Sequence, residues 1–202
     1  MPDTDATQQR LSWFLGHLHR GGLWAYWWLN NGQHKESVWW PVGDPQPING
    51  NGSTNVYFGV HPAAAIPERI DNGQLVPTSS VRATIKEVAA INCLFAEFDV
   101  KDAGGKEKLT EFVRNLTPRP QVIIASGGGF HCYWLLGEPF ILRTDQDRER
   151  ARQLQWAWVE FIGGDTGAKD LARVLRVPGF KNYKPEYAPA FPAVEFVRCD
   201  TS

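Results

Sequence analysis

One acidic strand constrains the fold of this chain more than any other segment. Residues 93–100 have the sequence CLFAEFDV, and this apolar, aromatic composition favours a β-strand. Because successive side chains of a strand point to opposite faces, Glu97 and Asp99 lie side by side, while residues 94, 96, 98 and 100 face the core. Two neighbouring carboxylates repel each other, and a divalent cation relieves that repulsion most directly. The pair therefore predicts a Mg²⁺ or Mn²⁺ site or, alternatively, a solvated strand end.

A glycine run supplies the second feature. Residues 126–131 have the sequence SGGGFH and separate a predicted buried strand over 121–125 from a predicted strand over 131–136. Glycines lack a Cβ atom and let backbone amides approach an anion closely, so this turn predicts a phosphate cradle with a histidine beside it. The residues concerned are Ser126, Gly127, Gly128, Gly129 and His131. The alternative is an ordinary glycine turn next to a structural histidine.

A basic segment supplies compensating charge. Residues 170–184 have the sequence DLARVLRVPGFKNYK, which predicts a short helix followed by a turn at Pro178-Gly179. Its cations could neutralise the phosphates of a triphosphate or of a template backbone. They are Arg173, Arg176, Lys181 and Lys184. The alternative is a solvated basic face, on which Asp170 stands in the first helical turn and pairs with Arg173.

Tryptophans crowd the first predicted hairpin. Strands are predicted over 23–29 and 37–41, joined by a turn that contains Asn31-Gly32. A loop over 41–55 and a short strand over 56–60 follow. The tryptophans of the hairpin pack into a core or, alternatively, form a platform on which bases stack. They are Trp24, Trp27, Trp28, Trp39 and Trp40.

Helices are predicted at three places between the strands. The first covers 79–91, with Ser79 or Ser80 as its N-cap, and the second covers 106–116. The third covers 145–162, capped by Asp145 and closed by the glycines that follow it. Its predicted inward residues are Ala151, Leu154, Trp158, Phe161 and Ile162. The alternation of strands, hairpins and helices predicts a mixed α+β domain.

Composition and charge exclude several classes of protein. The chain has 202 residues, 43% of them hydrophobic, but no window approaches the roughly 18 to 20 apolar residues of a membrane span. The polar start is not a signal peptide, so we expect a soluble cytoplasmic protein. Its three cysteines are far apart, which argues against a disulfide framework or a structural zinc site. The net charge of −1 confines any nucleic-acid contact to a local basic groove.

Together these segments resemble the motifs of a known family. FAEFD, SGGGFH and DLARVLRVPGFKNYK are similar to motifs I, II and III of the archaeo-eukaryotic primase superfamily, in its primase-polymerase branch of phages, plasmids and mobile elements. The resemblance covers about residues 56–184, with Glu97 where many members have aspartate. It implies an α+β fold of mixed or antiparallel sheets flanked by helices, with an RRM-like catalytic core and an N-terminal β-rich lobe.

The resemblance also implies a site and its ligands. Glu97, Asp99 and Asp165 would hold two Mg²⁺ or Mn²⁺ ions, with Asp165 favoured over Asp170 as the third ligand by its distance ahead of Arg176. The glycine run and the basic segment would seat the (d)NTP substrate. A single-stranded DNA template and a primer would be the macromolecular partners.

The implied function is that of a DNA primase/polymerase, which joins nucleotides on the template by two-metal catalysis and releases pyrophosphate. A metal-dependent nuclease and a non-catalytic single-strand-binding or origin-binding module of a replication initiator are the alternatives. We predict one catalytic domain over 1–202, with a tryptophan-rich hairpin region at 1–60 and a motif-bearing core at 61–190. It is either a stand-alone enzyme or a fragment of a longer replication protein, with a helicase domain or replication proteins as possible partners and no membrane association.

Overall fold

The computed structural model describes residues 4–48 and 52–201, so residues 49–51 of the predicted loop and both ends of the predicted domain lie outside the described residues. The helices within these ranges are α1 (Thr4–Leu18), α2 (Lys106–Arg114) and α3 (Asp145–Ile162). The strands are β1 (Trp24–Asn30), β2 (Lys35–Pro41), β3 (Asn55–Gly59), β4 (Ile70–Asp71), β5 (Gln74–Leu75), β6 (Ala90–Asp99), β7 (Val122–Ala125), β8 (Gly129–Ile141), β9 (Val174–Arg176) and β10 (Glu195–Cys199). The predicted α+β class is confirmed.

Two antiparallel four-stranded sheets form the frame. The first sheet has the order β2-β1-β3-β9 and the second has the order β10-β7-β8-β6, while β4 and β5 form a separate small hairpin. In the second sheet, β8 is inserted between β6 and β7, which α2 connects, so these elements form a split β-α-β unit. Both β6 and β10 are edge strands of this sheet.

Aromatic packing between the two sheets forms the main core. Phe14 of α1 has no exposed surface, and its ring meets Phe58 of the first sheet at 5.8 Å and Tyr133 of the second at 4.8 Å, both edge to face. Burying a side chain of this size contributes about 1.5–3 kcal/mol. No element was predicted for α1 from the sequence, although this helix links the two sheets.

The predicted tryptophan hairpin is confirmed, and its rings belong to the core. Trp27 and Trp40 are buried, with ring centroids 4.2 Å apart. The indole of Trp27 also donates a hydrogen bond to the Gln46 carbonyl, and that of Trp39 donates one to the Thr78 carbonyl. These contacts favour the packing interpretation over a stacking platform for bases.

The predicted helix over 79–91 is wrong. Thr78–Ser80 form a short 3₁₀ turn, and Val81 after it is extended. Glu87 accepts hydrogen bonds from the backbone and hydroxyl of Thr84, which closes a single turn. Val88 then bridges to Ala63 as a β-pair. Pairing with a distant segment therefore overrides the helical spacing of the apolar residues.

The third predicted helix is confirmed with two corrections, and the first is its cap. Thr144, and not Asp145, is the N-cap of α3. Its hydroxyl accepts a hydrogen bond from the Asp147 amide, and the Asp147 carboxylate accepts one from the Thr144 amide. This reciprocal capping box satisfies two donors at once, which a cap at Asp145 would not do.

The second correction concerns the face of α3 that is buried. Leu154 and Phe161, predicted to point inward, are 44% and 69% exposed. Gln155 is buried instead, because its side-chain amide bonds both the N–H and the C=O of Phe95 on the edge strand β6. The buried residues of the helix are Ala151, Gln155, Val159 and Ile162. An unsatisfied strand edge thus sets the rotation of the helix.

The pairing of β6 with β8 aligns the acidic strand with the glycine run. Glu97 lies opposite His131, and Asp99 lies opposite Gly129. A Cβ atom at Gly129 would stand 1.9 Å from the Phe98 carbonyl oxygen, which is far inside van der Waals contact. This register therefore requires glycine at position 129. Among the described residues, none of the helices is both long and apolar enough to cross a membrane.

We predict that Gly129→Ala lowers the free energy of unfolding by about 1–3 kcal/mol or more, because the new methyl group forces β6 and β8 apart. Gly137→Ala on the same strand is the matched control, since a Cβ atom there meets nothing within 4 Å. Its change should stay within about 0.5 kcal/mol. Urea denaturation of both variants measures this, and equal stabilities would contradict the prediction.

Candidate active site

The ends of the two sheets enclose a cavity of about 170 Å³. It collects residues from the acidic strand, the glycine run and the basic segment. Its polar lining consists of Tyr57, Glu97, Asp99, Ser126, Gly128, His131, Asp165, Arg173, Arg176, Asn182, Lys184 and Tyr187. Acids, cations and part of the glycine run thus line one cavity, in which Arg173 lies directly against Glu97.

Among the acids of the cavity, Glu97 has the shortest contact with a cationic side chain. Nε and Nη2 of Arg173 both lie 2.7 Å from its Oε1, and Nε2 of His131 lies 3.6 Å from its Oε2. Burial raises the pKa of Glu97 above its ordinary value, the charge and hydrogen bond of Arg173 lower it, and the nearby carboxylates of Asp165 and Asp170 raise it again. The net pKa is raised, so Glu97 binds a proton more readily than a solvated glutamate.

The other acids of the cavity are Asp99 and Asp165. Asp99 is more open, with Nζ of Lys101 at 3.3 Å from its Oδ2. The backbone N–H of Asp165 donates to the Glu97 carbonyl at 2.8 Å, which fixes the loop after α3 beside β6. A Cβ atom at Gly164 would lie 2.9 Å from that of Ala96, so glycine permits this close approach.

Asp170, the rival third ligand, stands outside the cavity. Its side chain is 56% exposed and lies 3.4 Å from Nη1 of Arg173, as expected from the sequence for a structural pair. The structure therefore brings Asp165, and not Asp170, to the wall that carries Glu97 and Asp99.

The donor set fits a divalent metal in its chemistry. Carboxylate oxygens are the hard ligands that Mg²⁺ and Mn²⁺ prefer, and Glu97, Asp99 and Asp165 share one cavity. As the side chains of residues 4–48 and 52–201 are placed, however, no three His, Cys, Asp or Glu residues are close enough to hold one ion. An ion at Glu97 would compete with Arg173 for Oε1.

The glycine run forms a tight turn, and the side chains of Asn182 and Tyr187 lie against it. Gly127 has φ +86°, and Asn182 donates from its Nδ2 to the Ser126 carbonyl at 2.9 Å. A Cβ atom at Gly128 would meet the Tyr187 hydroxyl at 2.1 Å. Ser126 and Gly128 line the cavity, whereas Gly127 and Gly129 serve the turn and the strand pairing beneath it.

His131 is neutral at physiological pH. Burial and, to a lesser extent, the positive charges of Arg176, Arg173 and Lys184 lower its pKa to about 3. Its contact with Glu97 is therefore a polar contact and not an ion pair. The buried Nδ1 atom has no hydrogen-bond partner among the described residues.

The basic segment is partly a strand, so the predicted helix is wrong there. Residues 174–176 form β9, whose Arg176 pairs with Tyr57 of β3 in the sheet. Extended pairing suits the β-branched valines of this part of the chain. Arg173, Arg176 and Lys184 reach the cavity, whereas Lys181, which bridges to Ala193, does not.

Arg176 is a buried cation with an unused donor. Its Nη1 donates to Oδ1 of Asn55 at 2.6 Å, and its guanidinium stacks 4.8 Å from the Tyr57 ring centroid. Its Nη2 is buried without a partner in the described part of the chain. Arg176 lines the cavity, where the charge of its guanidinium suits an anion.

Four polar residues at this site were not predicted from the sequence. Asn55 binds both Arg176 and the Tyr183 amide, and Asn182 anchors the glycine run. Tyr57 and Tyr187 line the cavity. Asn182 lies inside the third motif, so the sequence contained a signal for it. Asn55 is 121 positions from Arg176, and nothing in the sequence connects the two residues.

We predict that Arg173→Gln raises the pKa of Glu97 further above its ordinary value, because the substitution removes the cation that opposes the effect of burial. Titration of the side-chain carboxyl carbons by ¹³C NMR, with Glu97→Gln to assign the signal, measures this. Arg152→Gln is the control, because Arg152 pairs with Glu149 on the exposed face of α3. An unchanged or lowered pKa in Arg173→Gln would contradict the prediction.

Comparison with known proteins adds a family and a fold. The family of RepB DNA-primase N-terminal domains matches residues 79–201. The fold is similar to the AEP domain of the cyanophage S-2L primase-polymerase, with a TM-score of 0.61 and 15% identity over 99% of this chain and 92% of that one. No curated protein sequence matches the chain significantly.

Two further solved structures share the fold. The primase RepB′ gives a TM-score of 0.55 and 12% identity, covering 97% of this chain and 57% of that one. The catalytic domain of RepB′ in complex with initiator DNA gives 0.51 and 11%, covering 97% and 86%. At sequence identities of 11% to 15%, these similarities show that the three structures and this chain share a fold.

Proposed function

The chain belongs to the family of RepB DNA-primase N-terminal domains, and on that basis we propose that it is a template-directed nucleotidyltransferase. The membership makes it a primase-type domain of DNA replication. The proposed reaction joins nucleoside triphosphates on single-stranded DNA. The 3′-oxygen of one nucleotide bonds to the α-phosphorus of the next, the bond to the β-phosphate oxygen breaks, pyrophosphate leaves with the electron pair, and the hydroxyl proton passes to solvent.

One observation carries this proposal. Three carboxylates, three cations and part of the glycine run line the same cavity. Nucleotidyl transfer needs both kinds of group at one site, because the acids hold metal and the cations balance a triphosphate. A domain that only binds DNA has no need for half-buried acids beside the phosphate-binding residues.

The metal ligands under this proposal are Glu97, Asp99 and Asp165. Bound there, two Mg²⁺ or Mn²⁺ ions supply Lewis-acid activation of the attacking hydroxyl and neutralise charge at the transferred phosphate. Arg173 pairs with Glu97, which limits the cost of holding a carboxylate in a partly buried wall.

The triphosphate seat under this proposal consists of fixed donors. Arg176 offers the charge of its guanidinium, and its position is held by Asn55 and Tyr57. Lys184 contributes a second charge, and Ser126 with Gly128 contributes the edge of the glycine run. Because Arg176 and the glycine run are held before the ligand arrives, these parts of the seat require little reorganisation on binding. Neutral His131 contributes a hydrogen bond and no charge.

The proposed macromolecular ligands are a single-stranded template and a primer. One of the similar structures, the RepB′ catalytic domain, is a complex with initiator DNA. In this chain, whose net charge is −1, the cations of the cavity that would contact template phosphates are Arg173, Arg176 and Lys184. A helicase domain or other replication proteins as partners stay predictions.

The first test of the proposal removes two acids. We predict that the double variant Glu97→Ala, Asp99→Ala loses incorporation of labelled nucleotides on primed and unprimed single-stranded DNA with Mg²⁺ or Mn²⁺. Loss of even one preorganised electrostatic group costs about 10²–10³-fold in rate. Circular dichroism confirms retained folding, and pyrophosphate release separates polymerisation from nuclease action. Full activity in the double variant would refute the assignment, and an inactive wild type would favour a non-catalytic binding module.

The second test compares Asp165 and Asp170. We predict that Asp165→Ala lowers the incorporation rate by at least about 100-fold. Asp170→Ala is the matched control and should stay within about 10-fold, since Asp170 touches the site only through its exposed pair with Arg173. Loss at Asp170 with activity kept at Asp165 would reverse the assignment of the third ligand.

A further inference from the structure

A row of aromatic and basic side chains crosses one face of the first sheet and ends in the candidate active site. Trp28 of β1 pairs with Tyr57 of β3, and Tyr57 pairs with Arg176 of β9. Directly paired residues share a face of the sheet, with Cβ atoms about 4.5–5.5 Å apart. Because Tyr57 and Arg176 line the cavity, the row leads from the cavity out to Trp28. We call this side of the sheet the Trp28 face, and its strand residues, by register and alternation, are Trp24, Tyr26, Trp28, Asn30, Lys35, Ser37, Trp39, Pro41, Asn55, Tyr57, Gly59, Val174 and Arg176.

The Trp28 face is basic. Within the described strands of the first sheet, its residues include two cations and no acid. Arg82 adds a third cation, because its exposed guanidinium reaches over Trp28. Glu97 and Asp170 are acids whose charges reach the tyrosines of this face, and both are paired with Arg173. The face therefore presents positive charge to a polyanion.

One side of the Trp28 face is covered and the centre is partly open. The segment 78–81 lies over β2, where its carbonyls accept hydrogen bonds from the side chains of Trp39 and Ser37. Trp28 and Tyr57, on the next two strands, are partly exposed. Packing within the core therefore accounts for the buried tryptophans of the hairpin but leaves the exposed part of Trp28 without a role.

Guanidinium groups stack on both aromatic rings of the row. That of Arg176 lies 4.8 Å from the Tyr57 centroid and donates to Oδ1 of Asn55 at 2.6 Å, which holds it in place. That of Arg82 lies 5.0 Å from the Trp28 centroid. An exposed cation–π contact is weaker than the stacking of a nucleic-acid base on an aromatic side chain. A base on Trp28 therefore outweighs the contact that it displaces, and it frees Arg82 for a phosphate.

We propose that the Trp28 face binds single-stranded DNA, with a base stacked on Trp28 and a neighbouring phosphate bound by Arg82. The strands β1 and β3 are the central strands of their sheet, and exposed aromatic side chains on central strands form a surface on which unpaired bases stack. A duplex keeps its bases stacked inside, so the face distinguishes single strands from duplexes. The inference rests on the proposed function for one point, that the bound strand is the template, which enters the cavity past Tyr57.

The first experiment measures the affinity for single-stranded DNA without catalysis. A labelled oligothymidylate of about 15 nucleotides, near the upper site size of one single-strand-binding fold, is titrated with the intact chain in the absence of metal and triphosphate. Fluorescence anisotropy gives the Kd. In Trp28→Leu we expect the Kd to rise about 5-fold or more, the lower range of base–aromatic stacking. Trp28→Phe keeps an aromatic ring, so its Kd should lie between those of the wild type and Trp28→Leu.

Trp156→Leu is the matched control. Trp156 is 37% exposed, and Nζ of Lys169 lies 3.5 Å from its ring centroid, so it is also a tryptophan stacked by a cation. It lies on α3, however, which packs on the second sheet through Gln155. Its Kd should change less than about 2-fold, because no stacked base is lost. Thermal unfolding of all variants separates a loss of binding from a loss of folding.

The second experiment tests the phosphate contact. The slope of log K against log salt concentration falls by about 0.7 for each phosphate contact that a protein loses on a single strand. We expect this change in Arg82→Gln. Arg152→Gln is the control and should keep the slope of the wild type, since Arg152 stacks 5.8 Å from the ring centroid of Trp156 on α3. An unchanged slope in Arg82→Gln would contradict the phosphate contact.

The outcomes separate this inference from the proposed function. Equal Kd values for Trp28→Leu and Trp156→Leu, a wild type that binds no single strand, or equal affinity for a duplex of the same length would overturn the inference. A dimer of the DNA-free protein that Trp28→Leu dissociates would overturn it as well, because the face would then contact a second copy. If the inference fails in one of these ways while the wild type incorporates nucleotides, the proposed function stands. If Trp28→Leu weakens binding but the wild type incorporates nothing on any template, the proposed function fails and the single-strand site stands.

Discussion

The antiparallel pairing of β6 with β8 is the constraint on which the site depends. It sets Glu97 opposite His131 and Asp99 opposite Gly129, so an acidic strand and a glycine run that are distant in sequence become one surface. Because a strand alternates its side chains, a slip of one residue would turn both acids to the α2 and α3 face. The close approach of Gly129 to the Phe98 carbonyl helps to fix this register, since it leaves no room for a side chain.

The pair of Glu97 and Arg173 joins this sheet to the other one. Arg173 directly precedes β9, and its carbonyl accepts a hydrogen bond from Val60, so the guanidinium is supported by the first sheet. Its charge offsets the desolvation of Glu97, yet the pKa of Glu97 is still raised because burial dominates. Removing one partner of such a pair leaves an uncompensated charge. A metal ion that takes over the carboxylate would leave Arg173 on the same cavity, next to Arg176 and Lys184.

The sequence predicted what depends on local patterns. Alternation placed Glu97 and Asp99 on one face, helical spacing found α2 and most of α3, and the Asn-Gly turn found the first hairpin. Prediction from the sequence failed where pairing with a distant segment of the chain decides the local structure. Residues 87–89 pair with the segment around Ala63 instead of forming a helix, and Arg176 pairs with β3 instead of continuing a basic helix. Asn55 could not be found, because its role exists only once β3 and β9 are neighbours.

The open edge of β6 explains both the position of the third acid and the cavity between α2 and the loop after α3. An edge strand presents unpaired backbone groups that must find partners. At Phe95 the Gln155 side chain satisfies them, and at Glu97 the carbonyl accepts the N–H of Asp165. The loop after α3 therefore takes the place that a neighbouring strand would fill, and this brings a third carboxylate beside the first two. Because the replacement is a glycine-containing loop and not a strand, space remains between it and α2, and Asp99 of β6 lines a cavity on either side.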